Sequence, residues 1–210
     1  GSEGTLGLFS EATITLVEKP RATLTALIHF HRLEDVGDAV PKLLELSPSA
    51  LEVMDANTLN LIGRAKHGIP AAAAATLLVE LDSDGVGTDL RAQAERMTEI
   101  CRIYRLTSDP VIAFDPDQRE QLWKARKALY PTLYRFDPRK KPINFVDDVV
   151  VPAERISELI RYLEEFFAGQ HVPVAIFGHI GNGNAHIIPL LDVNDQDDFQ
   201  KMVQGYHEIH

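Results

Sequence analysis

The segment Phe177-Gly178-His179-Ile180-Gly181-Asn182-Gly183-Asn184-Ala185-His186 constrains the fold more than any other part of the chain. It sets three glycines within six residues, directly after the apolar run from Val174 to Phe177. Glycine frees the backbone to turn sharply, so a strand ending at His179 and a strand starting near Asn184 are expected to run back to back. Such a return commits part of the chain to antiparallel sheet.

The rest of the sequence alternates two periodicities. Ala12, Ile14 and Leu16 repeat every second residue up to Pro20, and Leu24, Ala26, Ile28 and Phe30 do the same, which predicts two early strands. Val36, Ala39, Val40, Leu43 and Leu44 follow a helical spacing, with Pro41 marking either a kink or a start near Asp38. Asp55-Ala56-Asn57 is a helix-start signal ahead of Leu59 and Ile62, and Ala75, Leu77, Val79 and Leu81 predict a strand closed by Asp82-Ser83-Asp84-Gly85. Leu90, Ala94, Met97, Cys101 and Tyr104 form a helical stripe. Further helices are expected from Asp117 to about Leu133 and from Ile156 to Phe167, the latter with Gly169 at its C-terminal cap, and a strand from Asn144 to Val151. This interleaving, with hairpin-length links, points to an α+β fold of the ferredoxin-like kind, a largely antiparallel sheet with helices packed on one face.

Composition narrows the function classes. The 210 residues are 45% hydrophobic and 25% charged, as in an ordinary globular protein, and no apolar run reaches the ~18 residues of a membrane span. Twenty-one Lys and Arg against 31 Asp and Glu leave a net charge of -10, so nucleic acid is not an expected partner. The single cysteine, Cys101, lies on a helical stripe and reads as a buried core thiol; with no secretory signal at the N-terminus, a reducing, cytoplasmic location is expected.

His179 and His186 are seven positions apart on the two arms of the hairpin, where their imidazoles can converge. Neutral imidazole is a common metal ligand, yet two ligands do not complete a centre, and a hydrogen-bonded hairpin carrying two incidental histidines fits the spacing as well. Arg126, between Lys124 and Lys127 on an expected helix, reads on its own as a surface arginine. Asp147 and Asp148 are neighbours on an expected strand, so their side chains point opposite ways and do not form a carboxylate dyad.

Five ordered segments together resemble one family. Gly1 to Ala12 resembles the end of the flavin-binding domain of FAD-linked oxidases of the D-lactate dehydrogenase and glycolate oxidase kind, in the vanillyl-alcohol oxidase superfamily. Ala50-Leu51-Glu52-Val53-Met54-Asp55, Leu122-Trp123-Lys124-Ala125-Arg126-Lys127 and Asp147-Asp148-Val149-Val150-Val151-Pro152 are similar to three further family motifs, and His179 to His186 to its Gly-His-x-Gly-Asp-Gly-Asn-x-His signature. Asn182 stands where the family usually has Asp.

The resemblance implies that residues 1–11 close a flavin domain and residues 12–210 form a substrate-binding cap domain that stops before the family's Gly-Glu-His-Gly segment. It implies FAD held mainly by an absent domain, with Ser2, Glu3 and Gly4 as this chain's contribution, and a chain that does not turn over alone. It further implies a divalent metal, zinc among the candidates, on His179 and His186, and substrate binding by Arg126 and Asn184. The implied reaction is oxidation of a small D-2-hydroxy acid such as lactate or glycolate. The electron acceptor would be a quinone, an electron-transfer flavoprotein or an iron-sulfur protein, and the whole enzyme could lie peripheral to a membrane. Val146 stands where dicarboxylate-using relatives carry lysine; Lys140 and Lys141 nearby read as an exposed basic loop. Two other classes compete: a non-catalytic ferredoxin-like binding or interaction module, and a metal-dependent hydrolase, which lacks a His-Glu-x-x-His helix and a nucleophile elbow.

Overall fold

The computed structural model describes residues 5–85, 89–144 and 146–209. Their regular structure begins with β1 (Ala22–Phe30) and continues through α1 (Leu33–Leu44), β2 (Ala50–Asp55), α2 (Ala56–Ile62), β3 (Ala75–Ser83), α3 (Leu90–Arg102) and β4 (Val111–Ala113). Then come α4 (Pro116–Lys127), α5 (Leu129–Leu133), β5 (Lys141–Pro142), β6 (Val146–Val150), α6 (Ile156–Gly169), β7 (Val174–Gly178), β8 (Asn184–Leu191) and α7 (Gln196–Ile209). The strands form one eight-stranded sheet in the order β4-β1-β3-β2-β7-β8, with β6 and β5 both pairing the far edge of β8. Every pairing is antiparallel. The fold is therefore α+β, as the interleaved periodicities indicate.

The pleat divides the sheet into two faces. Leu24, Ala26 and Ile28 on β1, Leu77 and Val79 on β3, and Ile176 and Ile187 on β7 and β8 share one core with α1, α3 and α6. Those three helices carry the stripes legible in the sequence: Val36, Ala39, Val40 and Leu43; Ala94, Met97 and Cys101; Ile156, Ile160, Leu163 and Phe167, all buried. The opposite face has a second, smaller core in which Met54, Phe177, Ile188 and Leu190 meet Leu59 of α2 and Leu129 and Leu133 of α5. This second layer is an addition to the expected single helical face, and it frames the site described below.

Local signals explain most of the elements. Asp55 accepts a hydrogen bond from the Thr58 N–H at 2.8 Å and starts α2, and Asp115 does the same for the first turn of α4 ahead of Pro116. Pro41 sits inside α1 on its exposed side, and the helix begins at Leu33 rather than near Asp38. Burial pushes the Cys101 thiol up to about 12, the behaviour of a core cysteine.

Two local expectations are corrected. Residues 12–20 form no strand: Ile14 and Leu16 are exposed, so the alternation there buries no face against the sheet. Gly169 is the last residue of α6 rather than its left-handed cap; the positive φ, 56°, falls on His171. Among the described residues, no helix is long and apolar enough to cross a membrane.

Candidate functional site

Strand register assembles the site. Val53 lies opposite Gly178 and Met54 opposite Phe177, and the next step along β2 brings Glu52 to His179, whose Nδ1 bonds Glu52 Oε1. On the other side of β7, His186 of β8 lies opposite both Phe177 and Asp148, and Asp148 Oδ1 is 2.6 Å from His186 Nδ1. The two imidazoles meet edge to face with centroids 5.1 Å apart. The return between them is a short 3-10 turn, Ile180–Asn182, closed by Gly183 at φ 69°. A Cβ there would lie 1.8 Å from the Val151 carbonyl oxygen, so the turn requires glycine.

A carboxylate accepts and does not donate, so the ring nitrogens facing Glu52 and Asp148 carry the protons. In their neutral form both rings are then Nδ1–H tautomers, with Nε2 as the lone-pair nitrogen. Among the described residues, neither Nε2 has a hydrogen-bond partner. Carboxylates on Nδ1 are the usual way proteins orient histidines whose Nε2 binds a metal or accepts a proton.

Arg126 approaches from α4. Arg119, Trp123 and Arg126, spaced four and three apart, form a stripe that faces the acids of the sheet. Trp123 Nε1 donates to Glu80 Oε2 at 3.0 Å, Thr25 donates to the same oxygen at 2.7 Å, and Arg119 lies 3.9 Å from it. Arg126 Nε donates to Glu52 Oε2 at 2.9 Å, and its guanidinium lies 4.6 Å from the centroid of the Phe177 ring. With 15% of its side chain exposed, Arg126 is not a solvated surface arginine. Its two terminal nitrogens make no hydrogen bond to a described residue.

Asn184 lies two residues before His186 on the same face of β8, and its Oδ1 is buried with no hydrogen-bond partner. His186 and Arg126 thus meet at Phe177, whose ring is 5.4 Å from His186, with His179 against His186, and Asn184, whose N–H donates to the His179 carbonyl at 3.3 Å, stands at the same end of the sheet. Ser2, Glu3 and Gly4 lie outside the described residues. Lys140 is not an open basic loop: its Nζ is 3.2 Å from Asp198 Oδ2, at the start of α7.

Sequence alone assigns no role to Glu52 or Asp148, although Glu52 stands inside the short apolar strand β2, where a carboxylate is rare unless paired. Glu52 is 5% exposed, and truncating one partner of a buried ion pair typically costs about 3–5 kcal/mol.

The model of the family described as FAD linked oxidases, C-terminal domain, matches residues 19–210. The chain belongs to this family. Its relatives include glycolate oxidase subunit GlcD of Bacillus subtilis, 30% identical over 215 residues that cover 100% of this chain and 44% of that protein. A probable mitochondrial D-lactate dehydrogenase of Danio rerio is 30% identical over 96% of this chain and 40% of its own length. D-2-hydroxyglutarate dehydrogenase of Pantoea ananatis is 26% identical and is covered over 22% of its length. The chain therefore spans less than half the length of these relatives. Among solved structures, p-cresol methylhydroxylase with substrate bound superposes at TM-score 0.62 and 12% identity, over 91% of this chain and 43% of the other. The 4-ethylphenol oxidase from Gulosibacter chungangensis gives 0.60 at 14% identity, over 93% of this chain and 44% of the other. At such identities these two likenesses concern the fold alone. As a C-terminal domain of FAD-linked oxidases, this chain carries its polar cluster at one end of the sheet.

Proposed function

We propose that this domain is the substrate-binding side of an FAD-dependent dehydrogenase that oxidises a small D-2-hydroxy acid of lactate or glycolate size. The observation that carries the reading is Arg126, held by Glu52 through Nε alone, with both terminal nitrogens available beside two histidines whose Nε2 atoms are bare. A guanidinium presents two parallel donors to a carboxylate and so fixes its direction as well as its charge. With the carboxylate on Arg126, the 2-hydroxyl, one carbon away, comes to the two imidazoles, and Nε2 of either ring, when unprotonated, accepts a hydrogen bond or the hydroxyl proton. Asn184, on the same face of β8 as His186, is a further polar side chain at this end of the sheet.

The FAD of the whole protein supplies the hydride acceptor, and an electron acceptor of quinone, electron-transfer flavoprotein or iron-sulfur type takes the two electrons onward. His179 and His186 also suit a divalent cation such as zinc, since each offers a bare Nε2 backed by a carboxylate on Nδ1, with at least one further ligand needed beyond these two. When bound, such a cation would polarise the 2-hydroxyl and make its proton easier to remove.

Arg126→Lys in the FAD-bearing protein tests the anchor. Lysine still pairs with Glu52 but loses the fork, so kcat/KM for the 2-hydroxy acid should fall by roughly tenfold to a hundredfold, about 1.5–3 kcal/mol, with flavin content unchanged. Arg126→Ala should fall further and, because it leaves Glu52 unpaired, should also lower thermal stability. A change of less than about threefold in the lysine variant would mean that the substrate carboxylate is held elsewhere.

A further inference from the structure

Glu52 is the one described carboxylate that touches both halves of this cluster. Its Oε1 receives the Nδ1 proton of His179 and its Oε2 receives the Nε proton of Arg126. The other acids on this face differ. Asp148 serves His186 alone and is half exposed, and Glu80 serves Thr25 and Trp123 without touching a histidine.

We propose that Glu52 is a positioning residue that sets the tautomer of His179 and the placement of Arg126 together, so that the proton-accepting or metal-binding atom and the carboxylate anchor stand or fall as one unit. The inference rests on the function proposed above for those two side chains.

The reason lies in counting donors and acceptors. An ionised carboxylate has two acceptor oxygens and satisfies two donors at once, whereas a primary amide has one acceptor oxygen and one donor nitrogen. Guanidinium only donates, so in Glu52→Gln the amide oxygen must turn to Arg126. The amide N–H₂ then faces His179 Nδ1, which can meet it only as an acceptor. The His179 proton moves to Nε2, and the atom needed for a substrate proton or a cation is blocked. An unchanged His179 would require two donors to face each other inside a pocket where Glu52 is 5% exposed.

This argument predicts a rescue. If Arg126 is also replaced, as in Glu52→Gln/Arg126→Met, nothing compels the amide oxygen toward α4. It can turn to His179 and restore the Nδ1–H form. The double variant also removes both members of the ion pair, so it tests the idea even if the single variant folds poorly.

The experiment is ¹⁵N spectroscopy of histidine-labelled 210-residue chain at a pH where both rings are neutral, joined to calorimetric titration with Zn²⁺. In the wild type, both His179 and His186 should show a protonated Nδ1 and a bare Nε2. Glu52→Gln should convert His179 alone to Nε2–H and weaken Zn²⁺ binding at least tenfold. His186, backed by Asp148, should not change, and the double variant should return His179 to Nδ1–H. A wild-type His179 in the Nε2–H form, a single variant that leaves His179 unchanged, or a double variant that stays flipped would each overturn the proposal. A wild-type chain that binds no Zn²⁺ yet shows the flip and the rescue would defeat the metal reading of the site and leave the role of Glu52 supported.

Discussion

Asp55 accepts through Oδ1 from the Thr58 N–H at 2.8 Å and the Ile176 N–H at 3.2 Å, and its Oδ2 is buried with no fixed donor. The carboxyl beside it is Glu164, which burial, and then the Asp55 charge, push up from the ordinary 4.5 to about 8. Two buried acids side by side cannot both ionise cheaply, and burial raises Asp55 as well, so the pair holds a proton at neutral pH. Between 4.5 and about 8 the native chain therefore binds a proton that the unfolded chain has lost, and this pair makes stability fall as pH rises through that window. His29 has the opposite slope. Burial, aided by Arg64, lowers it to about 4, so the native chain binds fewer protons than the unfolded one up to its ordinary 6.5, and stability rises with pH there. Glu164→Gln should reduce the first slope and leave the second, since Asp55, raised by its own burial, remains. Thermal melts from pH 5 to 9 should show the variant gaining on wild type as pH rises, with the largest advantage at pH 9. Parallel curves would show that no proton is shared.

α4 and the β7–β8 return show two ways in which an element can be specified without an apolar stripe. α4 buries Ala125 but faces the sheet through Arg119, Trp123 and Arg126, each aimed at a strand carboxylate, so hydrophobic periodicity gives its inward face no signal. The return is specified by Gly183, where φ is 69° and a side chain would strike the Val151 carbonyl. Gly183→Ala should cost about 3 kcal/mol, a fall in Tm of roughly 6–12 °C for a chain of this size, measured by calorimetry. Gly169 is the contrasting case. It is helical, and a Cβ there would meet nothing within 4 Å. Gly169→Ala should therefore stabilise by about 0.5–1 kcal/mol. A destabilised Gly169→Ala would mean that the last turn of α6 is not helical.

At the scale of the whole molecule, regular structure starts at Ala22 and the family match at residue 19, while Leu8, Phe9, Leu16 and Val17 are at least 83% exposed. Removing residues 5–19 should leave Tm within about 2 °C of the intact chain and reduce self-association by light scattering, because these side chains bury nothing here. A large drop in Tm would show that the segment packs on the domain. The sequence alone determined what depends on a window of a few residues. The stripes of α1, α3 and α6, the Asp55 cap and the glycine-driven return between His179 and His186 follow from local sterics and from side-chain periods of 3.6 and 2. The same reasoning failed at Ala12 to Leu16, where alternation was present and a packed face for it was not. Tertiary structure alone decided which charges meet. Glu52 reaches His179 across 127 positions and Arg126 across 74, through a β2–β7 register that no local pattern encodes. A charge reads in sequence as solvated until the fold brings its partner and removes its water, and that is why the residues that organise this site became visible only in three dimensions.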